Sequence, residues 1–415
     1  MLVLARGDLV LPDRILTGAS LVIDDTRISA IEPGRRADLP GATIVDAAEC
    51  YVVPGFVDVH VHGVDGFDTL DEGDPVAAIA SRLPRYGVTA FCPTTVACGP
   101  ARLRAALEQV ARARIARVPR GARVLPAHLE SNFINPGYRG AQPAECLRLP
   151  PGPAQAGHYV RKMGLHGPAE HEGDFSGREI LDVIAAARPD VGIVTLAPEL
   201  SGGIELVRAL VSAGHRVSLG HSGASLDEAM AAIDAGARHA THLFNRMTPM
   251  THRAPGVAGA VLARDEVAAE LICDGYHVHP AMCQVAIASK GTGRIMAITD
   301  GTAGAGLPVG SDARLGGRRI RVTESAAVLD DGTLAGSTLT MDRAFRTIVT
   351  VLGLSVVDAS TICATTPARE LGLIGFGTLA EGAVADVVVL DRGFRVIRTL
   401  IDGREVYAAR GPTVR

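Results

Sequence analysis

The chain has 415 residues, a formal net charge of −4, 47% apolar residues and 21% charged residues. That balance excludes a basic nucleic-acid binder and a disordered chain, and at about 150 residues per domain it allows two or three domains. Aromatic residues make up 4% with no tryptophan, against 13 histidines, so stacking platforms are scarce and imidazole is not.

The N-terminus reads MLVLARGDLV. Arg6 and Asp8 interrupt it before a signal-peptide core forms, and no apolar run approaches the ~20 residues of a membrane span. No contact with a membrane or with nucleic acid is expected. Cysteines stand at 50, 92, 98, 146, 273, 283 and 363 with no C-x-x-C pair. That pattern reads as reduced, buried thiols of a cytoplasmic protein.

In chain order, Leu2–Leu4, Asp8–Leu11 and Ala19–Ile23 are short apolar runs broken by Gly7, Pro12 and Asp24–Asp25, the punctuation of hairpins. The other end repeats the texture: residues 377–408 hold two extended runs with Asp402–Gly403 as a hairpin turn. Neither end has enough apolar surface to fold alone. One small β-sandwich built from 1–53 and 373–415 is therefore expected, with a larger domain, 54–372, inserted between. There, apolar runs alternate with amphipathic stretches. The candidate strands are Gly55–Val61, Val88–Pro93, Val124–Leu129, Ile193–Leu196, Arg216–Leu219, Ala240–Leu243, Ala269–Cys273 and Ile295–Thr299. A helix is predicted over Arg102–Val118, with Leu103, Leu107 and Val110 on one face. Capping boxes at Ser176–Glu179 and Ser225–Glu228 open two more. Eight β-then-α units in about 250 residues make a (β/α)8 barrel of the TIM type. A doubly wound α/β sheet is the alternative, but no G-x-G-x-x-G follows a first strand.

In such barrels catalytic groups stand at the carboxyl ends of the strands. The first candidate strand ends in His60-Val61-His62, the third in Glu130, the fifth in His221 and the eighth in Asp300; the sixth carries His242, and Asp274 to His277 follow the seventh. Each has an ordinary alternative: a hydrogen-bonded structural histidine, a salt-bridge glutamate, a helix-capping aspartate. Their recurrence at one end of successive strands carries the signal. His60 and His62, two apart on a strand, share a face. Imidazole and carboxylate are good ligands for divalent metals, so the set suggests activated water with Asp300 moving its proton, and hydrolysis of an amide. The other histidines read as structural: His158, His166 and His171 solvated in a Gly/Pro-rich loop, His128 and His239 in the core or behind the site, His215 and His279 at the surface or in loops, and His252 unassigned.

These residues sit in segments that together resemble the amidohydrolase superfamily, and within it the N-acetylglucosamine-6-phosphate deacetylases. The segments are PGFVDVHVHG (54–63), HLE (128–130), TLAPE (195–199), SLGHSGAS (218–225), ATHLFNRM (240–247), HRAPGVAG (252–259), DGYHV (274–278) and AITDG (297–301). The resemblance implies Glu130, His221 and His242 as the principal metal ligands and His60 and His62 as holders of a second ion. Asp300 is implied as the catalytic acid and base, and Asn245, Arg253 and His277 as contacts to a sugar phosphate. It implies one or two divalent ions, zinc first, with iron, manganese or cobalt as alternatives. It also implies a homodimer or larger homo-oligomer, and N-acetylglucosamine 6-phosphate as the substrate, cleaved to glucosamine 6-phosphate and acetate.

The sequence departs from the family pattern at Ser131-Asn132 (usually Gly-Pro), Gln142 (usually His), Arg246 (usually Ala) and Gly301 (usually Ala). All are expected on loops that line the substrate pocket, with Gln142 and Arg246 as contacts. They raise the alternative of a related N-acyl amino sugar such as N-acetylgalactosamine 6-phosphate, or of a more anionic substrate. A cyclic-amide hydrolase of the same superfamily is a second reading, although the fourth candidate strand lacks the lysine such enzymes use. A barrel without catalytic activity is the third.

Overall fold

The computed structural model describes residues 1–34, 41–151 and 174–409. The expected solvated histidines His158, His166 and His171 lie outside the described residues.

Apolar runs make β1 (Leu2–Val10) and β2 (Ile15–Asp24) an antiparallel hairpin, extended by β3 (Arg27–Glu32). β4 (Thr43–Asp46) and β5 (Tyr51–Pro54) then run parallel to successive stretches of β1. From the other end of the chain come β18 (Val387–Leu390), β19 (Val396–Ile401) and β20 (Arg404–Ala408). Both termini join in one sheet, ordered β20-β19-β18-β5-β1-β2-β3, through antiparallel pairing of β5 with β18. Asp402 and Gly403 both have positive φ, +48° and +71°, as the predicted hairpin turn requires. The sheet returns on itself: the Ile28 N–H donates to the Ala383 carbonyl at 3.0 Å, and Leu4, Leu21, Ile28, Val389 and Leu400 share one buried cluster.

The larger domain is a parallel barrel of eight strand positions taken in chain order: β6 (Phe56–Val61), β7 (Val88–Thr95), the pair β8 (Arg123–Val124) and β9 (Ala127–Glu130), β10 (Val191–Leu196), β11 (Arg216–Leu219), β12 (His239–Ala240), β13 (Ala268–Ile272) and β14 (Ile295–Ile298). It closes where the Asp300 N–H donates to the His60 carbonyl at 3.0 Å and the His62 N–H to the Gly301 carbonyl at 2.9 Å. Every residue of β6, β7, β10, β13 and β14 is buried, the mark of strands covered on both faces.

The structure corrects several boundaries. The predicted strand 124–129 is broken at Pro126, which has no N–H to give a ladder. The predicted strand 240–243 is only His239–Ala240, because the chain turns through positive φ at His242 and Phe244. The helix predicted over 102–118 spans Pro100–Ile115, with proline in its first turn. Both capping boxes form, at Ser176 and Ser225. His215, in the loop before β11, is buried there, with Nδ1 3.0 Å from the Val191 carbonyl. After β14, an unforeseen antiparallel meander crosses the carboxyl end of the barrel: β15 (Asp312–Leu315), β16 (Arg318–Val322) and β17 (Ala327–Val328). None of the seven cysteines forms a disulfide, and no described helix is long and apolar enough to cross a membrane.

Candidate metal centre

The barrel brings the strand-end residues of β6, β9, β11, β12 and β14 to one point. Glu130 Oε1 lies 3.0 Å from His221 Nε2 and 2.8 Å from His242 Nε2, and these two nitrogens are 3.1 Å apart. His60 Nε2 and His62 Nε2 are 3.2 Å apart, each 3.3 Å from Asp300 Oδ1. The two groups are contiguous, since Glu130 Oε1 is 3.6 Å from His60 Nε2 and Glu130 Oε2 is 3.5 Å from His62 Nε2. Ligand atoms around a tetrahedral ion with metal–nitrogen bonds of 2.0–2.1 Å are about 3.3 Å apart. The donor set has the spacing that a divalent cation needs.

Tautomers point the same way. The Tyr138 carbonyl can only accept, and it lies 2.9 Å from His221 Nδ1. That nitrogen carries the proton, which leaves the Nε2 lone pair facing the cluster. His60 Nδ1 lies 2.9 Å from Glu270 Oε2, a carboxylate backing an imidazole as behind many metal-bound histidines.

In the protein alone, protons held on two imidazoles balance two buried carboxylates. Burial drives His60 down to about 4. Burial also works against the charged forms of His62 and His242, but the Asp300 and Glu130 carboxylates hold His62 up at about 10, and Glu130 holds His242 up at about 9. Burial would raise Glu130 and Asp300, yet the surrounding imidazoles keep both below the ordinary carboxylate value. Two sequestered carboxylates that recruit protons onto buried imidazoles are matched by a divalent ion.

The backbone is strained here. His221, His242, Phe244, Arg246 and Asp300 have φ of +48°, +33°, +76°, +52° and +47°. Each such residue costs on the order of 1 kcal/mol or more and persists where the surroundings over-determine it.

Above the cluster opens a cavity of about 280 Å³, lined by Gln142, Asn245, Arg246 and His277 and walled by Leu315 and Leu334 near the meander. His277 Nδ1 is 2.6 Å from Asp274 Oδ2, while its buried Nε2 has no partner among the described residues. Arg246 is exposed at the rim and packs over Gly140 (φ +58°), where a Cβ would fall 2.6 Å from Arg246 Nε. Arg253 is exposed and outside this lining. The expectation that all departures line the pocket is corrected for three of them, Ser131, Asn132 and Gly301. Ser131 Oγ donates to the Thr195 carbonyl at 2.6 Å, and Asn132 Nδ2 donates to the Cys98 and Cys146 carbonyls at 2.8 and 2.7 Å; neither lines the cavity. A larger hollow, about 1240 Å³, lies beside the helix 100–115 but holds none of the His/Asp/Glu groups spaced for a metal among the described residues.

Two buried acids behind the cluster, Glu270 and Asp58, were not among the candidates, while His128 lies behind the site as expected. Glu270 backs His60, His128 bridges the Val59 carbonyl and Thr195 Oγ1, and Asp58 accepts from the His60 N–H and Thr299 Oγ1. The available signal was a lone acid inside an apolar strand, in AAELI and FVDVHV.

An eight-stranded parallel barrel with imidazoles and carboxylates converging at its carboxyl end is the framework of a metal-dependent hydrolase. The chain belongs to the amidohydrolase family, whose model matches residues 51–406. It is 35% identical over 386 residues to N-acetylgalactosamine-6-phosphate deacetylase of Escherichia coli O157:H7, covering 92% of this chain and 93% of that protein. It is 32% identical over 406 residues to N-acetylglucosamine-6-phosphate deacetylase of Bacillus subtilis (strain 168), covering 97% and 96%. A crystal structure of a Mycobacterium smegmatis N-acetyl-D-glucosamine-6-phosphate deacetylase variant in complex with N-acetyl-D-glucosamine-6-phosphate superposes with a TM-score of 0.84 at 32% identity, covering 98% of this chain and 99% of that one.

Proposed function

We propose that the chain is a divalent-metal-dependent deacetylase of N-acetyl amino-sugar 6-phosphates, with N-acetylglucosamine 6-phosphate as the first substrate, zinc as the first metal and the cytoplasm as its place of action. The observation that carries this reading is the Glu130–His221–His242 donor set, contiguous with His60, His62 and Asp300 and opening into a cavity, in a chain similar to deacetylases over nearly its whole length. Glu130, His221 and His242 hold one ion, and His60 and His62 offer a second position. A divalent ion supplies water of lowered pKa and polarisation of a carbonyl.

The chain's own groups do the rest. Asp300, held ionised, takes a proton from the attacking water and passes it to the leaving amine nitrogen. His277, backed by Asp274, presents Nε2 to a substrate oxygen. Asn245 offers amide hydrogen bonds and Gln142 holds the loop beside Glu130. Arg246 meets the phosphate, since a guanidinium matches its oxygens. Arg253, exposed and outside the cavity of its own chain, is given no part in this step.

The expected products are glucosamine 6-phosphate and acetate. The test is acetate release from the 6-phosphates of N-acetylglucosamine, N-acetylgalactosamine and N-acetylmannosamine by metal-loaded protein; inertness of all three overturns the assignment. N-acetylgalactosamine 6-phosphate is the second reading, favoured by the similarity to the E. coli protein named for it. A cyclic-amide hydrolase is disfavoured by the lysines. The chain has two: Lys290 bonds the Val261 and Arg264 carbonyls, and Lys162 lies outside the described residues.

A further inference from the structure

Gln142 stands where the resembling family carries histidine, a position expected to touch substrate. The structure gives it other work. It is 3% exposed, and its two amide ends are both engaged. The Ala97 N–H donates to Gln142 Oε1 at 2.7 Å. A backbone N–H can only donate, so this bond fixes the amide's orientation and turns Nε2 the other way. Gln142 Nε2 there donates to Glu130 Oε2. Glu130 Oε1 is the oxygen that faces His221 and His242, so the amide holds the carboxylate by its opposite oxygen.

A second departure serves the same loop. Asn132 Nδ2 donates to the carbonyls of Cys98 and Cys146, so two carboxamides stitch the loop after β9 to the loop after β7. Arg318, from the meander, donates to the carbonyl of Ala141, next to Gln142, at 2.9 Å.

We propose that Gln142 is a positioning residue for Glu130 and that its amide sets the metal affinity of the Glu130–His221–His242 centre. This rests on the reading that those three residues hold a divalent ion. A ligating carboxylate free to rotate must be ordered when the ion binds, whereas one held by a fixed donor is already in place. Groups that orient metal ligands in this way are worth about 10–100-fold in metal affinity.

The test needs no substrate. Wild-type and Gln142→Met proteins are stripped of metal, and Zn²⁺ is titrated against a chromophoric chelator. Methionine keeps the volume and removes both hydrogen bonds. The expected result is a dissociation constant raised at least fivefold, together with a changed visible spectrum of the Co²⁺-loaded protein. At saturating metal, KM for N-acetylglucosamine 6-phosphate should stay within threefold of wild type. A change in metal affinity below fivefold overturns the proposal, whether or not KM moves; unchanged affinity with a tenfold higher KM makes Gln142 a substrate contact instead. If the methionine variant does not fold, Gln142→Ala, which admits water to the Ala97 N–H, is judged by the same criterion. Wild type that binds Zn²⁺ but cleaves no amino-sugar phosphate removes the functional reading and leaves this one standing. Wild type that binds no metal removes both.

Discussion

Asp300→Asn separates chemistry from architecture at this site. The residue sits at φ +47°, a left-handed conformation that asparagine tolerates better than most side chains, so the backbone should not move. Its N–H still donates to the His60 carbonyl, at 3.0 Å in the parent, and the amide oxygen can stay near His60 and His62, where Asp300 Oδ1 is 3.3 Å from each Nε2. Glu130, His221 and His242 are untouched, so metal content should be unchanged. What is lost is a base: burial raises the Asp300 carboxyl, but His60 and His62 outweigh it and hold the group below its ordinary value, so it is ionised throughout the neutral range. Positioned acid–base groups contribute about 10²–10⁴-fold, which at 1.36 kcal/mol per tenfold is about 3–5 kcal/mol of barrier. The assay is acetate release at saturating substrate and metal, with metal content measured by elemental analysis. Residual kcat above about a hundredth of wild type, with metal retained, would refute the proton-transfer role.

The remaining predictions concern charge. Arg246→Ala should raise KM for the sugar phosphate about tenfold or more while changing kcat little, and should leave KM for the unphosphorylated sugar unchanged; a matching loss for both sugars contradicts a phosphate contact. Metal binding at pH 7.5 should release protons, because His62 and His242, held up at about 10 and about 9 in the metal-free protein, must lose them to ligate; calorimetry in two buffers of different ionisation enthalpy measures this, and zero release contradicts it. Burial raises the Glu270 carboxyl to about 7 from an ordinary 4.5. The folded metal-free protein therefore holds that proton more tightly than the unfolded chain does, and the associated stability, full below pH 4.5, is lost as pH rises through 7. Glu270→Gln removes this loss, so relative to wild type it should gain up to about 3 kcal/mol between pH 5 and pH 8, read by urea unfolding without metal; a pH-independent difference rules the mechanism out.

The site was legible where residue type and strand position coincide. His60, Glu130, His221, His242 and Asp300 could be read because a parallel barrel must bring the carboxyl ends of its strands together, so position along the chain implies position in space. The two-residue spacing of His60 and His62 likewise followed from the strand period. Glu270 and Asp58 were not legible, because their function lies in facing His60 and Thr299 across the barrel, at sequence separations of 210 and 241. Arg253 shows the converse: a residue type suited to phosphate, placed on an exposed turn outside its own chain's cavity.

By itself the sequence determined the alternation of buried strands and capped helices and put imidazoles and carboxylates at the ends of those strands, because periodicity, capping and turn chemistry act over a few residues. Only the tertiary structure decided which atom of each donor faces which. Glu130 presents Oε1 to two imidazoles because Gln142, oriented by the Ala97 N–H, occupies Oε2. His221 presents Nε2 because the Tyr138 carbonyl claims Nδ1. Those assignments rest on hydrogen bonds between segments far apart in the chain, and a linear pattern carries no information on which of two equivalent atoms such a bond will take.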